Sequence, residues 1–206
     1  MLLSEIYKKF AQPPMLQQHQ LRVASVGFTI LKELNLVEDN VVRALLVHDL
    51  GNLIRIRFDL FGDDEYGELG VEYFKYKQKE YLIKYGNVDH TVTVKMLEEI
   101  NVDEDIIKMV ELVNWENIEG AVKSNDMNLK ILNYADMRVG PFGLLPAIVR
   151  IDEVNKRKSS WPEYKLIREK IIELEKQIFS GMKILPQDIN DESIVDIIPQ
   201  LRNWQI

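Results

Sequence analysis

Residues 44–52 read ALLVHDLGN, and this short stretch places a charged pair at the end of an apolar segment. Its first four residues carry no polar side chain, so the segment is predicted to be a buried helix. His48 and Asp49 follow at once, and a carboxylate in a buried place is costly unless a cation or a metal ion compensates it. No lysine or arginine follows before Arg55. Because Gly51 has no side chain, it leaves room beside the pair for a ligand or another backbone.

The rest of the chain carries apolar residues at intervals of three or four, which is typical of helices packed on one core. No segment alternates in a way that requires a strand, so the sequence predicts an all-α fold. Residues 55–67 and 116–127 lack the helical period and are predicted to be loops, the first of them a flap over a site. Helices are predicted near residues 16–34, 38–50, 68–85, 89–100, 103–115, 128–138, 143–157, 162–180 and 191–201, after a short leading helix that ends at Pro13-Pro14.

A single domain, 1–206, is expected for a chain of this length. It consists of a core at about residues 15–140, which carries the motifs discussed below, and a C-terminal helical extension at about residues 141–206. The helix predicted at 162–180 is strongly amphipathic. It is interpreted as packing on that core, with a contact between copies in a homo-oligomer as the alternative.

Composition and charge exclude several classes of function. The chain has no cysteine, which removes disulfides, thiolate metal ligands and cysteine nucleophiles together. Its net charge of −7 argues against nucleic acid as a partner, because nucleic acid is usually bound by a basic surface. The N-terminus lacks the pattern of a signal peptide, and no apolar stretch is long enough to span a bilayer. A cytoplasmic protein that does not enter the membrane is therefore expected.

Asp136 is a second carboxylate in apolar surroundings. It lies in LKILNYADMRVG, residues 129–140, whose apolar residues predict a buried helix end. A local cap or a salt bridge to Arg138 is the simple explanation for it. A metal ion is the other, since imidazole and carboxylate ligands together suit Mn, Fe, Co, Ni, Zn or Mg.

The ordered set His19, His48-Asp49 and Asp136 resembles the HD-domain superfamily of metal-dependent phosphohydrolases. His48 follows His19 by 29 residues, and Asp136 follows Asp49 by 87. The flanking segments HQLRVA, LLVHDLGN and NYADM are similar to the first, second and last motifs of the family. The resemblance covers roughly residues 15–140 and implies an HD-like helical bundle with additional C-terminal helices. It also implies that these four side chains bind one divalent metal ion.

The resemblance implies hydrolysis of a phosphomonoester or phosphodiester by metal-activated water, with nucleotides among the candidate substrates. Asp49 is then a catalytic residue that accepts the proton of the water, with the nearby acidic residues Glu65, Glu68 and Glu72 as alternatives for this role. His90, which begins a predicted helix, is a candidate for binding a phosphate oxygen or protonating the leaving group. Arg22, Asn52 and Arg138 are predicted to bind the small phosphorylated substrate, because each follows a proposed ligand by two or three residues. A cap for Asn52 and solvated or salt-bridged arginines are the alternatives.

The sequence departs from family members that bind two metal ions. Those proteins use further histidines in the central region, where this chain has Asn114 and Trp115, so one metal ion is predicted. The main alternative function is a catalytically silent regulatory protein with an HD fold that binds metal or nucleotide. A purely structural helical protein with core histidines, and an RNA-cleaving protein, are further alternatives.

Overall fold

The computed structural model describes residues 1–36, 39–158 and 161–206, and the description of the fold refers to these ranges. The α-helices are α1 (Leu3–Lys9), α2 (Pro14–Glu33), α3 (Asp39–Val47), α4 (Gly70–Tyr85), α5 (Asp89–Glu99), α6 (Glu104–Leu112), α7 (Ile118–Lys123), α8 (Met127–Asp136), α9 (Ala147–Arg157), α10 (Tyr164–Ile178) and α11 (Ile198–Arg202). Short 3-10 helices lie at Leu50–Arg55, Phe58–Leu60, Asp63–Leu69, Trp115–Asn117 and Pro186–Asp188. Within the described ranges there is no strand, only two isolated bridges, so the predicted all-α class is confirmed.

Helix α2 lies at the centre of the fold and packs against α3, α8 and α11. Its contact with α3 is close because position 27 is a glycine: a Cβ there would lie 2.3 Å from Leu45 Cδ1. The amphipathic helix α10 packs against α7, α8 and α9. Its buried residues recur at intervals of three or four, which confirms that it packs on the core; they are Ile167, Ile171, Leu174 and Ile178.

Helix α3 ends at Val47 and does not continue through Leu50 as predicted. Asp49 has φ −113° and ψ 21°, outside the α-helical region, and a 3-10 helix follows it. This 3-10 helix packs on the start of α5, where the Gly51 amide donates to Thr93 Oγ1 over 2.9 Å. A Cβ at Gly51 would lie 2.3 Å from Asp89 O, so the glycine makes room for another backbone.

The two segments predicted to be loops are more ordered than expected. The prediction for 116–127 was wrong, because α7 occupies Ile118–Lys123 and buries three apolar residues at helical spacing, Ile118, Ala121 and Val122. Residues 55–67 form no α-helix but contain two 3-10 helices. The Tyr66 side chain is buried there, and its hydroxyl donates to Phe58 O over 3.1 Å. Most other residues of this segment are exposed, and Arg55 and Phe61 line the cleft described below.

The C-terminal extension differs from the prediction at both ends. Helix α9 begins at Ala147 because Pro146 precedes it, and residues 140–145 form a turn in which the Leu145 amide donates to Arg138 O over 2.7 Å. The last helix is shorter than predicted and covers only Ile198–Arg202. The chain end returns to its beginning, where the Leu3 amide donates to Trp204 O over 3.0 Å. None of the described helices is both long and apolar enough to cross a membrane.

Glu99 is the last residue of α5, and its carboxylate contacts side chains of α1 and α4. These contacts make the stability of the fold depend on pH. Glu99 accepts hydrogen bonds from Lys84 Nζ at 2.8 Å and Tyr85 Oη at 2.6 Å, and Lys9 lies 3.5 Å away. The hydrogen bonds from Lys84 and Tyr85 lower the pKa of Glu99 from its ordinary value to about 2. Because the folded-state pKa lies below the unfolded one, this stabilisation is present above about pH 4.5 and is lost as the pH falls to about 2.

We therefore expect Glu99→Gln to lower the free energy of unfolding at pH 6 and to have no such effect near pH 2. The difference is at most about 1 kcal/mol, because the carboxylate is partly exposed and solvent screens it. Denaturant unfolding of both proteins across pH 2–6 measures it. Glu98→Gln, on the exposed neighbouring residue, is the matched control. An equal pH dependence for Glu99→Gln and the unmutated protein would contradict the prediction.

Candidate metal centre

The fold brings together the four side chains that the sequence placed in one site. His19 lies in the second turn of α2, His48 and Asp49 lie in the turn after α3, and Asp136 is the last residue of α8. Since α2, α3 and α8 pack against one another, these distant parts of the chain meet at one point. The change from α-helix to 3-10 helix after Val47 lets the adjacent His48 and Asp49 approach the same neighbours.

The donor atoms of this cluster are closely spaced. His19 Nε2 lies 3.4 Å from Asp49 Oδ2 and 3.3 Å from Asp136 Oδ1. His48 Nε2 lies 3.6 Å from each of the same two oxygens. His19, His48 and Asp49 offer donor atoms that all lie within 4.8 Å of one another, and Asp136 faces both imidazoles from the side of α8. Donors bound at about 2.1 Å to one ion lie roughly 3.0–3.4 Å apart, so the spacing fits a single divalent metal ion.

His48 supplies the second argument for a cation. Its Nδ1 lies 2.8 Å from Leu45 O, and because a carbonyl only accepts, Nδ1 carries the proton of that hydrogen bond. Its Nε2 is buried and has no hydrogen-bond partner among the described residues. When the imidazole is neutral, Nε2 therefore points a lone pair toward the carboxylates of Asp49 and Asp136. Such an arrangement requires a positive charge between them, either a proton or a metal ion.

The pKa shifts of His48 and Asp136 also indicate that the cluster favours a positive charge. Burial acts to lower the pKa of His48, but the nearby carboxylates of Asp49 and Asp136 outweigh it and raise this pKa to about 9. Burial acts to raise the pKa of Asp136, and the nearby imidazoles of His19 and His48 bring it well below its ordinary value. The two carboxylates thus create a strongly negative, shielded position that favours a cation.

Trp115 holds the carboxylate of Asp136 in place. Its indole Nε1 donates to Asp136 Oδ2 over 2.7 Å, which leaves Oδ1 directed at the two histidines. Groups that orient metal ligands in this way usually contribute to metal affinity, because they reduce the freedom the ligand loses on binding. From the sequence, Trp115 marked a departure from the family pattern, and no spacing rule linked it to Asp136.

Replacing Trp115 with phenylalanine is expected to weaken Mn²⁺ binding by at least about 10-fold, because the indole N–H is lost while an aromatic ring is kept. Isothermal titration of the purified protein with Mn²⁺ measures the affinity. Trp161→Phe is the matched control, since its ring centroid lies 5.4 Å from that of Trp115 and it makes no hydrogen bond to Asp136. Equal losses in the two variants would show that the aromatic packing matters and the N–H does not.

The cluster lies in a cleft of about 920 Å³. His19, Asp49 and Asp136 line it, whereas His48 lies behind them and is only 4% exposed. Asn52 and His90 also line the cleft, so their side chains lie where the sequence analysis placed them. Asp89, next to His90, is held by a 2.6 Å ion pair with Arg55 at the same wall.

The two arginines predicted to bind phosphate do not line this cleft. Arg22 Nε lies 3.4 Å from Asp191 Oδ1 of the C-terminal segment. Arg138 is 2% exposed, and four of its five N–H groups are used. They donate to Leu145 O, Tyr134 Oη, Pro186 O and Ile189 O at 2.6–3.0 Å. The prediction that Arg138 binds substrate is therefore corrected: it ties the C-terminal extension to α8.

Three other basic side chains line the cleft, and none of them was predicted from the sequence to bind the substrate. Arg150 and Arg157 of α9 and the following Lys158 line it, together with the acidic Glu116 and Glu163. The signal that could have identified the two arginines is their separation of seven residues, which puts both on one face of a helix.

Comparison of the chain with protein-family models, with curated protein sequences and with solved structures gave no match. The likeness to the HD-domain superfamily accordingly depends on the residues of the cluster and their flanking motifs.

Proposed function

We propose that the protein is a cytoplasmic, metal-dependent phosphohydrolase of the HD type. The observation that carries this proposal is the buried, unpartnered Nε2 of His48, which faces two carboxylates beside His19. Purely structural histidines in a core satisfy both ring nitrogens, and this one does not. The cleft beside it supplies space for a substrate, as an enzyme requires and a structural ion site does not.

His19, His48 and Asp49 would hold the metal ion, with Asp136 as the fourth ligand. A divalent ion held by these residues would lower the pKa of a bound water molecule and would polarise a phosphoryl oxygen of the substrate. Mixed imidazole and carboxylate donors suit Mn, Fe, Co, Ni, Zn or Mg. His90 is the third and last histidine of the sequence. A second metal ion would need further histidines, so the proposal is a site for one ion.

The remaining side chains of the cleft have separate roles in the proposal. Asp49 is the proposed acceptor of the water's proton, since its second oxygen is available when Oδ2 faces the histidines. His90 lines the cleft from the start of α5 and is the proposed donor to the leaving group. Asn52 lines it one turn of 3-10 helix after Asp49 and is the proposed hydrogen-bonding partner of the substrate. The substrate is a small phosphomonoester or phosphodiester, with nucleotides as the first candidates.

A turnover assay tests the function directly. The purified protein is incubated with Mn²⁺, Co²⁺, Ni²⁺ or Mg²⁺ and a panel of phosphoesters that includes mononucleotides, and released phosphate is measured. We expect release that requires metal and is absent from Asp49→Ala. Equal release from Asp49→Ala and the unmutated protein would refute the proposal. Tight metal binding without turnover on any substrate would favour the catalytically silent, regulatory alternative.

A further inference from the structure

The N-terminal segment, residues 1–13, supplies no ligand of the cluster and lies outside the core that carries the motifs. Two of its polar side chains are nevertheless buried. They are Tyr7 in α1 and Gln12 just after it, and each is only 3% exposed. Both donate hydrogen bonds to the backbone of the ligand bend, residues 46–50, which contains His48 and Asp49. The N-terminal segment is thus connected to the cluster through the backbone next to two of its ligands.

The two hydrogen bonds lie on either side of the adjacent ligands in the ligand bend. Tyr7 Oη donates to Leu46 O over 3.1 Å, two residues before the histidine. Gln12 Nε2 donates to Leu50 O over 2.8 Å, directly after the aspartate. Helix α3 ends between these two carbonyls, at Val47. Because carbonyl groups at a helix end lack amide partners in their own helix, donors from other elements are needed to fix the chain there.

Gln12 also connects the ligand bend to α2, the helix that carries His19. Its Oε1 accepts a hydrogen bond over 3.4 Å from Nε2 of Gln20, which is fully buried and follows His19 directly. One amide side chain is therefore bonded to the sequence neighbours of two ligands on different elements, His19 and Asp49. These ligands face each other over 3.4 Å, from His19 Nε2 to Asp49 Oδ2. Loss of the amide would allow this separation to change.

The backbone around Gln12 directs its side chain inward. The preceding Ala11 has φ 43°, in the left-handed region that non-glycine residues rarely adopt. The Gln12 N–H donates to Tyr7 O over 2.9 Å, and the Gln12 carbonyl accepts from Gln17 Nε2 over 2.7 Å. Backbone strain of this kind persists only where the surrounding structure fixes the conformation. The position of the Gln12 amide is thus determined by the fold and not by the side chain alone.

The far end of the 3-10 helix that follows the ligand bend is held in the same manner. Gln78 of α4 donates from Nε2 to Leu53 O over 2.9 Å and to Ile56 O over 3.1 Å. Gln12 and Gln78 therefore make the same kind of hydrogen bond at opposite ends of this helix, and only Gln12 does so directly beside a proposed metal ligand. The comparison of the two residues separates an effect on the cluster from an effect on stability.

We propose that Tyr7 and Gln12 are positioning residues of the metal centre, which fix the ligand bend and its distance from His19. This inference rests on the proposed function, because it takes the cluster to be a metal site. A ligand that is already held in place loses less freedom when the ion binds, so positioning raises the affinity for metal. The N-terminal segment, which the sequence marks only as a short leading helix, is accordingly part of the metal centre.

Isothermal titration of the full chain with Mn²⁺ tests this role. We expect Tyr7→Phe and Gln12→Met each to weaken Mn²⁺ binding about 10-fold, because each variant loses its donor and keeps a similar shape. Tyr66→Phe and Gln78→Met are the matched controls, and each should change the affinity less than about twofold, since neither acts beside a ligand. Tyr66 is also buried, and its hydroxyl likewise donates to a backbone carbonyl over 3.1 Å.

Two further measurements distinguish positioning from a purely structural role. All four variants lose buried hydrogen bonds, so denaturant unfolding of the metal-free proteins should show similar decreases in midpoint. The visible absorption spectrum of the Co²⁺-loaded proteins depends on the arrangement of the ligands around the ion. We expect this spectrum to change in Tyr7→Phe and Gln12→Met and to stay the same in the two controls.

Equal Mn²⁺ affinities in the four variants would overturn the inference, and so would affinity losses that follow the losses in stability. The proposed function would remain in either case, because the unmutated protein would still bind metal and hydrolyse a phosphoester. Failure of the proposed function has a different result. In that case no phosphoester is hydrolysed, while Mn²⁺ affinity and the Co²⁺ spectrum still depend on Tyr7 and Gln12.

Discussion

Replacing His48 with asparagine is expected to abolish tight binding of a divalent metal ion and to leave the protein folded. The asparagine amide can keep the hydrogen bond to Leu45 O that His48 Nδ1 makes at 2.8 Å, whereas nothing replaces Nε2. The loss should exceed the 10–100-fold or so that follows removal of a group that merely orients a ligand. Isothermal titration with Mn²⁺ and Zn²⁺, together with metal analysis of protein purified without chelator, measures it.

His90→Asn is the matched control for this experiment, because His90 lines the same cleft without belonging to the compact donor group. It should retain the metal affinity of the unmutated protein and lower only turnover. Two outcomes would contradict the prediction. If His48→Asn binds metal as tightly as before, the cluster is not the metal site. If His90→Asn also loses metal, the site uses a ligand from α5 and the expectation of one ion in this cluster is wrong.

Replacing Arg138 with methionine is expected to lower the free energy of unfolding by at least about 3 kcal/mol. The guanidinium is buried and donates to three backbone carbonyls and to the Tyr134 hydroxyl, which in turn donates to Glu175 at 2.6 Å. Methionine has a similar volume but no donor, so these acceptors would stay buried without partners. Guanidinium chloride denaturation measures the change.

Arg168→Met provides the comparison, because the Arg168 side chain is 41% exposed and its ion pair with Asp152 lies near the surface. It should unfold close to the unmutated protein. Arg138→Met should keep the metal affinity of the cluster in the folded state, since Arg138 does not line the cleft. If it instead proved fully stable and bound phosphoesters poorly, the sequence-based assignment of Arg138 to the substrate would be right after all.

The helical class could be predicted from the sequence, because helical periodicity marks which side of each helix is buried. The same pattern singled out His48-Asp49 and Asp136, because a charged side chain on a buried side needs a partner. The grouping of these residues with His19, and the place of His90 near them, came from the resemblance to the HD-domain superfamily. Asn52 was expected at the site because it follows Asp49 by three residues, and both Asn52 and His90 line the cleft. The assignment of these residues to metal binding and hydrolysis stays a proposal.

Sequence-based prediction was wrong for residues whose side-chain direction depends on contacts with another part of the chain. Arg22 and Arg138 lie close to ligands along the chain, yet the C-terminal segment covers both, through Asp191 and through carbonyls of residues 186 and 189. Residues 116–127 looked polar and irregular because only three buried positions define α7.

What the sequence determined by itself is the nature of the site: an acidic and imidazole-rich cluster at the buried ends of helices. Only the tertiary structure decided which other side chains line the cleft beside this cluster. Trp115 reaches Asp136 across 21 residues of chain, and Arg150 reaches Trp115 from a further helix. Periodicity describes each helix relative to its own axis, but it does not state which helices face one another. The packing of α9 and α10 on the core therefore determines which cations the cleft presents to a substrate.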